Sequence, residues 1–179
     1  MAFYLPREDS YFLTEIIKER IKNKKIKVLD LGTGSGIQTK TLLEIGIPKE
    51  NILAVDINTD ALEEVKKLGV RTKKSYLFNY LKRKVFDLIT FNPPYLPESE
   101  FDNESDTTGG KNGDEVIIEF IKKLPKHLTI SGRAFLLTSS LTPEKNWKKI
   151  AKEKELKINK IATKKIFFEE LYIWEIKAQ

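Results

Sequence analysis

The sequence predicts an α/β fold, with a mostly parallel sheet of seven strands, helices on both faces of the sheet and an antiparallel hairpin at the C-terminus. Three observations support this prediction. Short apolar stretches alternate with segments of helical periodicity, as in repeated strand–helix–strand units. A glycine-rich stretch directly follows the first apolar stretch, at the place where such sheets bind ligands. The last two apolar stretches lie close together, which favours an antiparallel pair. We expect a single domain over residues 1–179.

The first half of the chain is expected to hold three helices and four strands. A helix is predicted over about residues 10–22, because apolar residues recur there at helical spacing, and Asp9 or Ser10 is expected to cap it. The next two helices each end before a glycine, and Asn58 or Thr59 is expected to cap the second of them. The third strand is polar and is therefore expected at a sheet edge. Strands are predicted at residues 28–31, 52–56, 70–75 and 86–91.

The second half begins with a loop of about twenty residues, and its length without apolar periodicity suggests a function. Helices are expected at about residues 114–123 and 143–152, the latter beginning with Pro143. Because ligands bind outside the carboxyl ends of parallel strands, the functional site is expected at that edge of the sheet. The remaining strands are predicted at residues 133–138, 156–162 and 167–176.

The composition excludes several classes of chemistry. The chain has no cysteine, so disulfides, thiol catalysis and thiolate metal sites are impossible within it. Its single histidine, His127, cannot form a multi-histidine metal site within one chain. A Ser-His-Asp hydrolase would have to use His127, which we interpret instead as a solvated cation near a helix end.

The ends and the charge suggest where the protein acts. The first residues show no basic region followed by an apolar stretch, and no segment approaches transmembrane length, so we expect a cytoplasmic protein without membrane contact. The formal net charge of +6 permits nucleic acid as a partner. However, the lysines are scattered along the chain, as expected for solvated faces, so the charge alone is weak support for that partner.

A glycine turn after the first strand indicates a nucleoside-containing cofactor. Gly32, Gly34 and Gly36 let the backbone turn tightly and approach a ligand. Asp56 ends the next strand, where a carboxylate can accept hydrogen bonds from ribose hydroxyls. The alternative is a simple strand–helix turn. Dinucleotide sites have the different spacing Gly-x-Gly-x-x-Gly, and Asp30 before the turn would repel pyrophosphate but suit an ammonium group. These features favour S-adenosylmethionine over NAD.

The stretch Asn92-Pro93-Pro94-Tyr95 follows the fourth strand and indicates a pocket for a planar amine or amide. The two prolines fix the turn and remove two backbone donors. The Asn92 side chain and the Pro93 carbonyl then offer two acceptors, which suit an –NH2 group, and Tyr95 offers a face for stacking. Such a reaction needs positioning more than a strong base. The alternative is an ordinary loop start made of turn residues.

Together these motifs resemble the HemK-like class I methyltransferases that modify a glutamine of class I translation release factors, and the eukaryotic and archaeal single-domain branch in particular. The Asn-Pro-Pro-Tyr motif also occurs in DNA adenine and RNA guanine methyltransferases, so the other motifs narrow the choice. The resemblance covers nearly the whole chain and rests on Tyr4-x-Pro6-x-Glu8-Asp9-Ser10, the glycine turn, Asp56-Ile57-Asn58, Phe91-Asn92-Pro93-Pro94-Tyr95 and Gly109-Gly110-Lys111-Asn112-Gly113.

The resemblance implies a class I methyltransferase fold and a set of site residues. Ser10 would touch the methionine part of S-adenosylmethionine, Asp56 with Ile57 would bind the ribose, and Leu77 would offer its backbone amide to adenine. The family has Asp before that leucine, whereas Tyr76 stands here and Asn79 could substitute. The methionine part would also be lined by Asp30 and Gly32, and Gly34 and Gly36 would bind the cofactor in the same turn. Asn92 would bridge cofactor and substrate amide in a pocket completed by Pro93, Pro94 and Tyr95.

The resemblance also implies partners. A class I release factor is the expected substrate, and a small zinc-binding activator subunit is expected on the third strand. The alternative is that Arg71, Lys73 and Lys74 simply keep that edge soluble. The second hypothesis for the same pocket is a methyltransferase that acts on a nucleic-acid base. A binding module without catalysis is the third, and it would predict damage to the Asn-Pro-Pro-Tyr motif, which is intact.

The loop after this motif carries a run of carboxylates with no base among them. Beside the acceptor pocket they would repel a phosphate backbone and attract a basic polypeptide. The alternative is a solvated loop without a role. The carboxylates are those of Glu98, Glu100, Asp102, Glu104 and Asp106.

Overall fold

The computed structural model describes residues 5–96 and 109–178. The acidic run at residues 98–106 lies outside this range, so its predicted role stays a prediction. In chain order the elements are α1 (Glu8–Arg20), β1 (Val28–Leu31), α2 (Ile37–Glu44), β2 (Ile52–Asp56), α3 (Thr59–Lys66), β3 (Arg71–Lys74), β4 (Phe86–Phe91), α4 (Glu115–Lys123), β5 (Leu128–Ser139), α5 (Lys145–Glu153), β6 (Leu156–Lys165) and β7 (Glu170–Ala178), with 3₁₀ turns at Lys49–Asn51 and Leu124–Lys126.

The predicted sheet is confirmed. The seven strands of the described residues form one sheet in the order β3-β2-β1-β4-β5-β7-β6. The first five strands in chain order pair in parallel, and β7 pairs antiparallel with both β5 and β6. Leu31 at the end of β1 lies opposite both Val55 and Phe91. The carboxyl ends of β1, β2 and β4 therefore meet at one edge, which we call the carboxyl edge.

Two apolar layers hold the helices against the two faces of the sheet. Successive strand residues point to opposite faces, so Leu29 packs in one layer and Val28 in the other. One layer also holds buried residues of α4 and α5, including Phe120 and Trp147, and the other holds residues of α1, α2 and α3, including Leu13. None of the helices in the described ranges is long and apolar enough to cross a membrane.

Several helix ends differ from the sequence prediction. α1 begins at Glu8 with Arg7 as its N-cap, so the prediction that Asp9 or Ser10 caps it is wrong. Both residues lie inside the first turn, where the Asp9 carboxylate binds the loop after β4 instead. α5 begins at Lys145, so Pro143 precedes the helix rather than starting it. The Asn58 cap of α3 is confirmed, because its side chain accepts from two backbone amides of the first turn.

The C-terminal strands also differ in length. β5 begins at Leu128 rather than at residue 133, because its first residues continue beside β4 past an irregular register. β6 extends to Lys165, and β7 starts only at Glu170. Phe167 and Phe168 therefore lie in the turn between the two strands. The prediction that the last strand begins at residue 167 is wrong.

His127 lies in the core, so its interpretation as a solvated cation is wrong. The 3₁₀ turn after α4 brings it under residues 78–84, where it is 5% exposed and its ring stacks on Phe78 at 4.3 Å between centroids. Its Nδ1 lies 2.8 Å from the carbonyl oxygen of Lys84 and therefore donates to it. Burial lowers the pKa of His127 from its ordinary value, and the nearby charge of Lys126 adds to this effect. The residue is a neutral part of the core.

Candidate active site

The glycine turn after β1 has the left-handed backbone that its sequence predicts. Gly32, Gly34 and Gly36 have φ values of 64°, 49° and 76°. Gly36 is the N-cap of α2, and a Cβ atom there would lie 2.6 Å from the Cγ2 atom of Val65 in α3. The turn is tied to β2 by the Thr33 amide, which donates to the Val55 carbonyl over 3.0 Å. Glycine at these positions thus lets α2 start close to both β2 and α3.

Asp30 lies beneath this turn. It is 1% exposed and accepts from the hydroxyls of Thr33 and Thr39 at 2.7 Å each, and from that of Thr90 at 3.1 Å. Burial raises the pKa of Asp30, while the threonine hydroxyls act in the opposite direction. The carboxylate therefore supports the turn from below. A contact between Asp30 and a cofactor ammonium group stays a prediction.

Asp56 at the end of β2 faces the same turn. Its Oδ2 accepts from the backbone amide of Gly34 and its Oδ1 from that of Asn58, each over 2.8 Å. Each oxygen of an ionised carboxylate can accept more than one hydrogen bond. Asp56 can thus join the two loops and still accept from a vicinal diol such as that of ribose, which is the role that the resemblance implies.

A cavity of about 440 Å³ opens beside Asp56, with a volume in the range of small-molecule sites. Tyr76 borders it, and Leu77 behind it is buried with a left-handed φ of 47°. Asn79, the alternative to the missing Asp, has its side-chain oxygen bound to Lys123 at 2.7 Å. Of these two residues, Tyr76 is therefore the one that lines the cavity, and its contact with adenine stays a prediction. The cavity is lined by Ile57, Lys74, Ser75, Tyr76 and Tyr80.

The acceptor loop, Asn92 to Tyr95, starts where β4 ends, and α1 holds it from one side. Asn92 donates from Nδ2 to Asp9 Oδ2 over 3.0 Å, and the Tyr95 hydroxyl lies 3.4 Å from the same oxygen. A carboxylate only accepts, so the amide of Asn92 must present its nitrogen to Asp9. Its Oδ1 is then turned the other way. This oxygen is buried and has no hydrogen-bond partner among the described residues.

An orphaned buried acceptor is unusual, because leaving one unpaired costs about 1–3 kcal/mol. A ligand –NH2 group would satisfy it, so Asn92 Oδ1 fits the predicted acceptor pocket. Burial of Pro93 beside it gives that pocket a fixed wall.

Asp9 and Gln38 belong to the site but are missing from the residues that the sequence predicts for it. The backbone amide of Ser10 donates to Asp9 Oδ1 over 2.6 Å, and Gln38 Nε2 donates to the Ser10 carbonyl over 3.0 Å. The two residues therefore connect α1, the glycine turn and the acceptor loop. Asp9 has a sequence signal, since it stands in the opening motif beside Ser10. Gln38 has none, because a glutamine in a helix is usually solvated.

The Gly-Gly-x-Asn-Gly stretch supports the acceptor loop from the other side. The Gly109 amide donates to the Leu96 carbonyl over 2.8 Å, and a Cβ atom at Gly109 would lie 2.6 Å from the Pro94 carbonyl oxygen. Thr142, after β5, donates to the Tyr95 carbonyl over 3.2 Å. The loop is thus held by three different parts of the chain, which suits a reaction that depends on positioning.

Comparison with known proteins agrees with this geometry. Residues 8–167 match the methyltransferase small domain family. The chain is 37% identical to a putative protein N5-glutamine methyltransferase of Methanocaldococcus jannaschii, over 95% of this chain and 89% of that protein. It is 30% identical to methyltransferase HEMK2 of Mus musculus, over 75% of this chain and 71% of that protein. Among solved structures, the E. cuniculi Mtq2–Trm112 complex, described as methylating the translation termination factor eRF1, matches with a TM-score of 0.81 and 28% identity, covering 100% of both chains.

The parallel sheet with its antiparallel end, the glycine turn with Asp56 and the acceptor loop define a class I methyltransferase that uses S-adenosylmethionine. The chain belongs to the methyltransferase small domain family, within which it is HemK-like.

Proposed function

We propose that this enzyme methylates the side-chain amide nitrogen of a glutamine in a class I translation release factor. The observation that carries the proposal is the orphaned, buried Oδ1 of Asn92, held in one orientation by Asp9. The names of the Methanocaldococcus and mouse relatives and of the E. cuniculi complex support the same substrate class.

The chain's own residues act by positioning the amide. Asn92 Oδ1 and the Pro93 carbonyl accept the two N–H bonds of the substrate, and Tyr95 stacks on its plane. Drawing both N–H bonds toward acceptors moves the nitrogen lone pair out of conjugation and toward the donor. When bound, S-adenosylmethionine would supply an electrophilic methyl group; the amide nitrogen would take this methyl as the sulfonium S–C bond breaks, and would give up one proton to solvent. The glycine turn, Asp56 and the cavity at Tyr76 would hold the cofactor on the other side of β4.

The test is a parallel assay with radiolabelled cofactor. Purified release factor, ribosomal RNA and DNA are offered separately to the enzyme, with and without a candidate activator subunit. Label in the release factor alone is the expected result. Faster labelling of either nucleic acid would establish the second reading, a base methyltransferase, because an exocyclic amino group fits the same pair of acceptors.

We further propose a small zinc-binding activator subunit on β3. This strand pairs only with β2 among the described strands, so its outer edge can accept a partner strand. The charged groups of two basic residues on this strand bind within the chain: Arg71 donates to the Glu50 carbonyl and Lys74 donates to the Thr59 hydroxyl. One relative of known structure, which matches over the whole chain, was solved as the Mtq2–Trm112 complex. Because this chain has no cysteine, thiolate ligands for zinc must come from the partner.

Co-expression tests the partner. A stable one-to-one complex that contains zinc and is more active than the chain alone is expected. Thr72→Lys, at the middle of β3, should weaken the complex, whereas the matched change Thr163→Lys on the opposite edge strand β6 should not. An enzyme fully active alone and unaffected by the activator contradicts the heterodimer.

A further inference from the structure

Two phenylalanines stand in solvent at the turn between β6 and β7, residues 166–169, which we call the hairpin tip. Phe167 is 92% exposed and Phe168 is 88% exposed, and their rings meet edge to face at 4.8 Å between centroids. The turn itself is closed by the backbone, since the Ile166 amide donates to the Glu169 carbonyl over 2.9 Å. Turns are usually made of small or polar residues. The two rings are not needed for the backbone bond that closes the turn, and together they form a small exposed apolar patch.

The hairpin tip is joined to the acceptor loop by two short steps. Ser140, just after β5, donates its amide to the Glu170 carbonyl over 2.8 Å and accepts from the Glu170 amide at its hydroxyl over 3.0 Å. In the same turn, Thr142 binds the carbonyl of Tyr95. The end of β6 that leads into the tip lies beside α1, because Lys164 pairs with Glu15 at 3.6 Å. Tip and acceptor pocket are thus parts of one rim on the carboxyl edge.

The order of the strands shows what can cover this rim. The cofactor site lies over β1, β2 and β3, the acceptor asparagine follows β4, and the hairpin tip lies beyond β5. A substrate that places an amide at Asn92 cannot continue over the side that the cofactor occupies. The side toward the tip is free of the proposed cofactor, so the substrate can leave the pocket in that direction. A groove of about 460 Å³ runs there, lined by Ser140, Lys165, Ile166, Phe167, Phe168, Glu169 and Glu170.

The chemistry of this groove suits a polypeptide. The two rings offer an apolar contact to a side chain, and Oε2 of Glu169 is buried without a hydrogen-bond partner among the described residues. A carboxylate oxygen only accepts, so its natural partner is an N–H group, which a peptide backbone supplies. The groove sets the carboxylates of Glu169 and Glu170 against the single ammonium group of Lys165, a balance that disfavours a phosphate backbone.

We propose that the hairpin tip is the docking surface for the protein substrate. The segment beside the acceptor glutamine lies across it, with an apolar side chain against Phe167 and Phe168 and a backbone N–H at Glu169. This inference rests on the proposed function and adds the surface that recognises the protein outside the acceptor pocket. A small set of exposed aromatic residues commonly supplies most of the binding energy of an interface.

The test compares the double variant Phe167→Ser/Phe168→Ser with Ile130→Ser. Ile130 is a matched control, since it is fully exposed but lies near the amino end of β5, away from the carboxyl edge. Initial rates are measured with intact release factor at varied concentration. The double variant should raise KM for the release factor about tenfold or more, with kcat and KM for the cofactor unchanged. Ile130→Ser should match the wild type. Glu169→Gln, which weakens the acceptor, should raise the same KM by a smaller factor.

Each other outcome has a defined meaning. If the wild type leaves the release factor unlabelled, the proposed function fails and this inference fails with it. If the wild type is active and the double variant has the same KM, the inference alone fails. It also fails if the double substitution changes only self-association, binding to anionic vesicles or labelling of ribosomal RNA. If the double variant melts at a lower temperature than Ile130→Ser, the measurement is repeated with Phe168→Lys alone. This single substitution changes a side chain that is exposed to solvent.

Discussion

At the scale of single residues, the acceptor pocket depends on which way round the Asn92 amide lies. The NH2 group and the oxygen of an amide are nearly the same size, so packing alone does not determine the orientation of the Asn92 side chain. Asp9 determines it, because its carboxylate accepts from Nδ2 at 3.0 Å and would repel Oδ1. The oxygen is thereby left for the substrate.

Asp9→Asn should therefore lower kcat about a hundredfold, with little change in cofactor affinity. The new amide can donate as well as accept, so Asn92 can turn over and present its nitrogen to the substrate. Assays quenched at successive times, with radiolabelled cofactor, measure the rate of methyl transfer, and calorimetry measures the affinity for the cofactor. Asp60→Asn is the matched control, since Asp60 is an exposed acid in the first turn of α3. Near-native turnover of Asp9→Asn would show that the carboxylate does not orient Asn92.

Asp56→Ala should weaken cofactor binding by about 1.5–3 kcal/mol, which is the range for losing a charged acceptor. It should also lower the free energy of unfolding, because the amides of Gly34 and Asn58 lose their shared acceptor. Calorimetry and urea unfolding measure the two effects, with Asp60→Ala as the exposed control. Unchanged affinity for S-adenosylmethionine would place the ribose elsewhere.

His127 should make the protein less stable in mild acid. Its pKa is lowered in the folded state by burial, so the unfolded chain takes up the proton first as the pH falls below about 6.5. The stability is complete above that pH and declines until the pH passes the folded pKa. Urea midpoints at pH 7.5 and 5.5 should therefore differ more for the wild type than for His127→Phe, which keeps the stacking on Phe78. Equal differences would assign the acid sensitivity to other groups, since the chain has one histidine.

At the scale of elements, the glycine turn fixes how closely α2 approaches α3. Gly36→Ala should destabilise the fold for two separable reasons. A left-handed φ costs about 1–2 kcal/mol in any L-residue, and the new methyl would lie 2.6 Å from Val65 Cγ2. Gly46→Ala is the matched control for the first reason, because Gly46 has a φ of 92° and, among the described residues other than its chain neighbours, no atom within 4 Å of the added Cβ.

Urea unfolding should give a larger loss for Gly36→Ala than for Gly46→Ala. Adding Val65→Ala to Gly36→Ala should recover part of the difference, since it removes the clashing methyl group. Equal losses at the two glycines would show that the contact between α2 and α3 relaxes freely.

The elements that sequence reasoning placed well are those whose signal is local. The buried strands β1, β2 and β4 agree with their apolar stretches, and the α3 start agrees with its Asn58 cap. The start of α1 was misplaced because Asp9 had two possible roles, and the contact with Asn92, 83 residues away, decided between them. The start of β7 was misplaced because exposed phenylalanines have the same signal in a sequence as buried ones.

At the scale of the whole molecule, the proposed sites divide the carboxyl edge into a cofactor half and a substrate half. The glycine turn, Asp56 and the acceptor motif were predictable, because each follows a recognisable strand. Their mutual support was not, because it depends on long-range contacts of Asp9, Gln38 and Thr142. No periodicity or motif spacing in the sequence indicates these contacts.

Mass spectrometry of the release factor after reaction with the wild type and with Asn92→Ala tests the proposed chemistry. The wild type should add one methyl group to a glutamine side chain. Asn92→Ala, which removes the buried Oδ1 acceptor, should add none while still binding S-adenosylmethionine in a calorimeter. A methyl group on another type of residue, or near-native modification by Asn92→Ala, would rule out transfer to an amide held by Asn92.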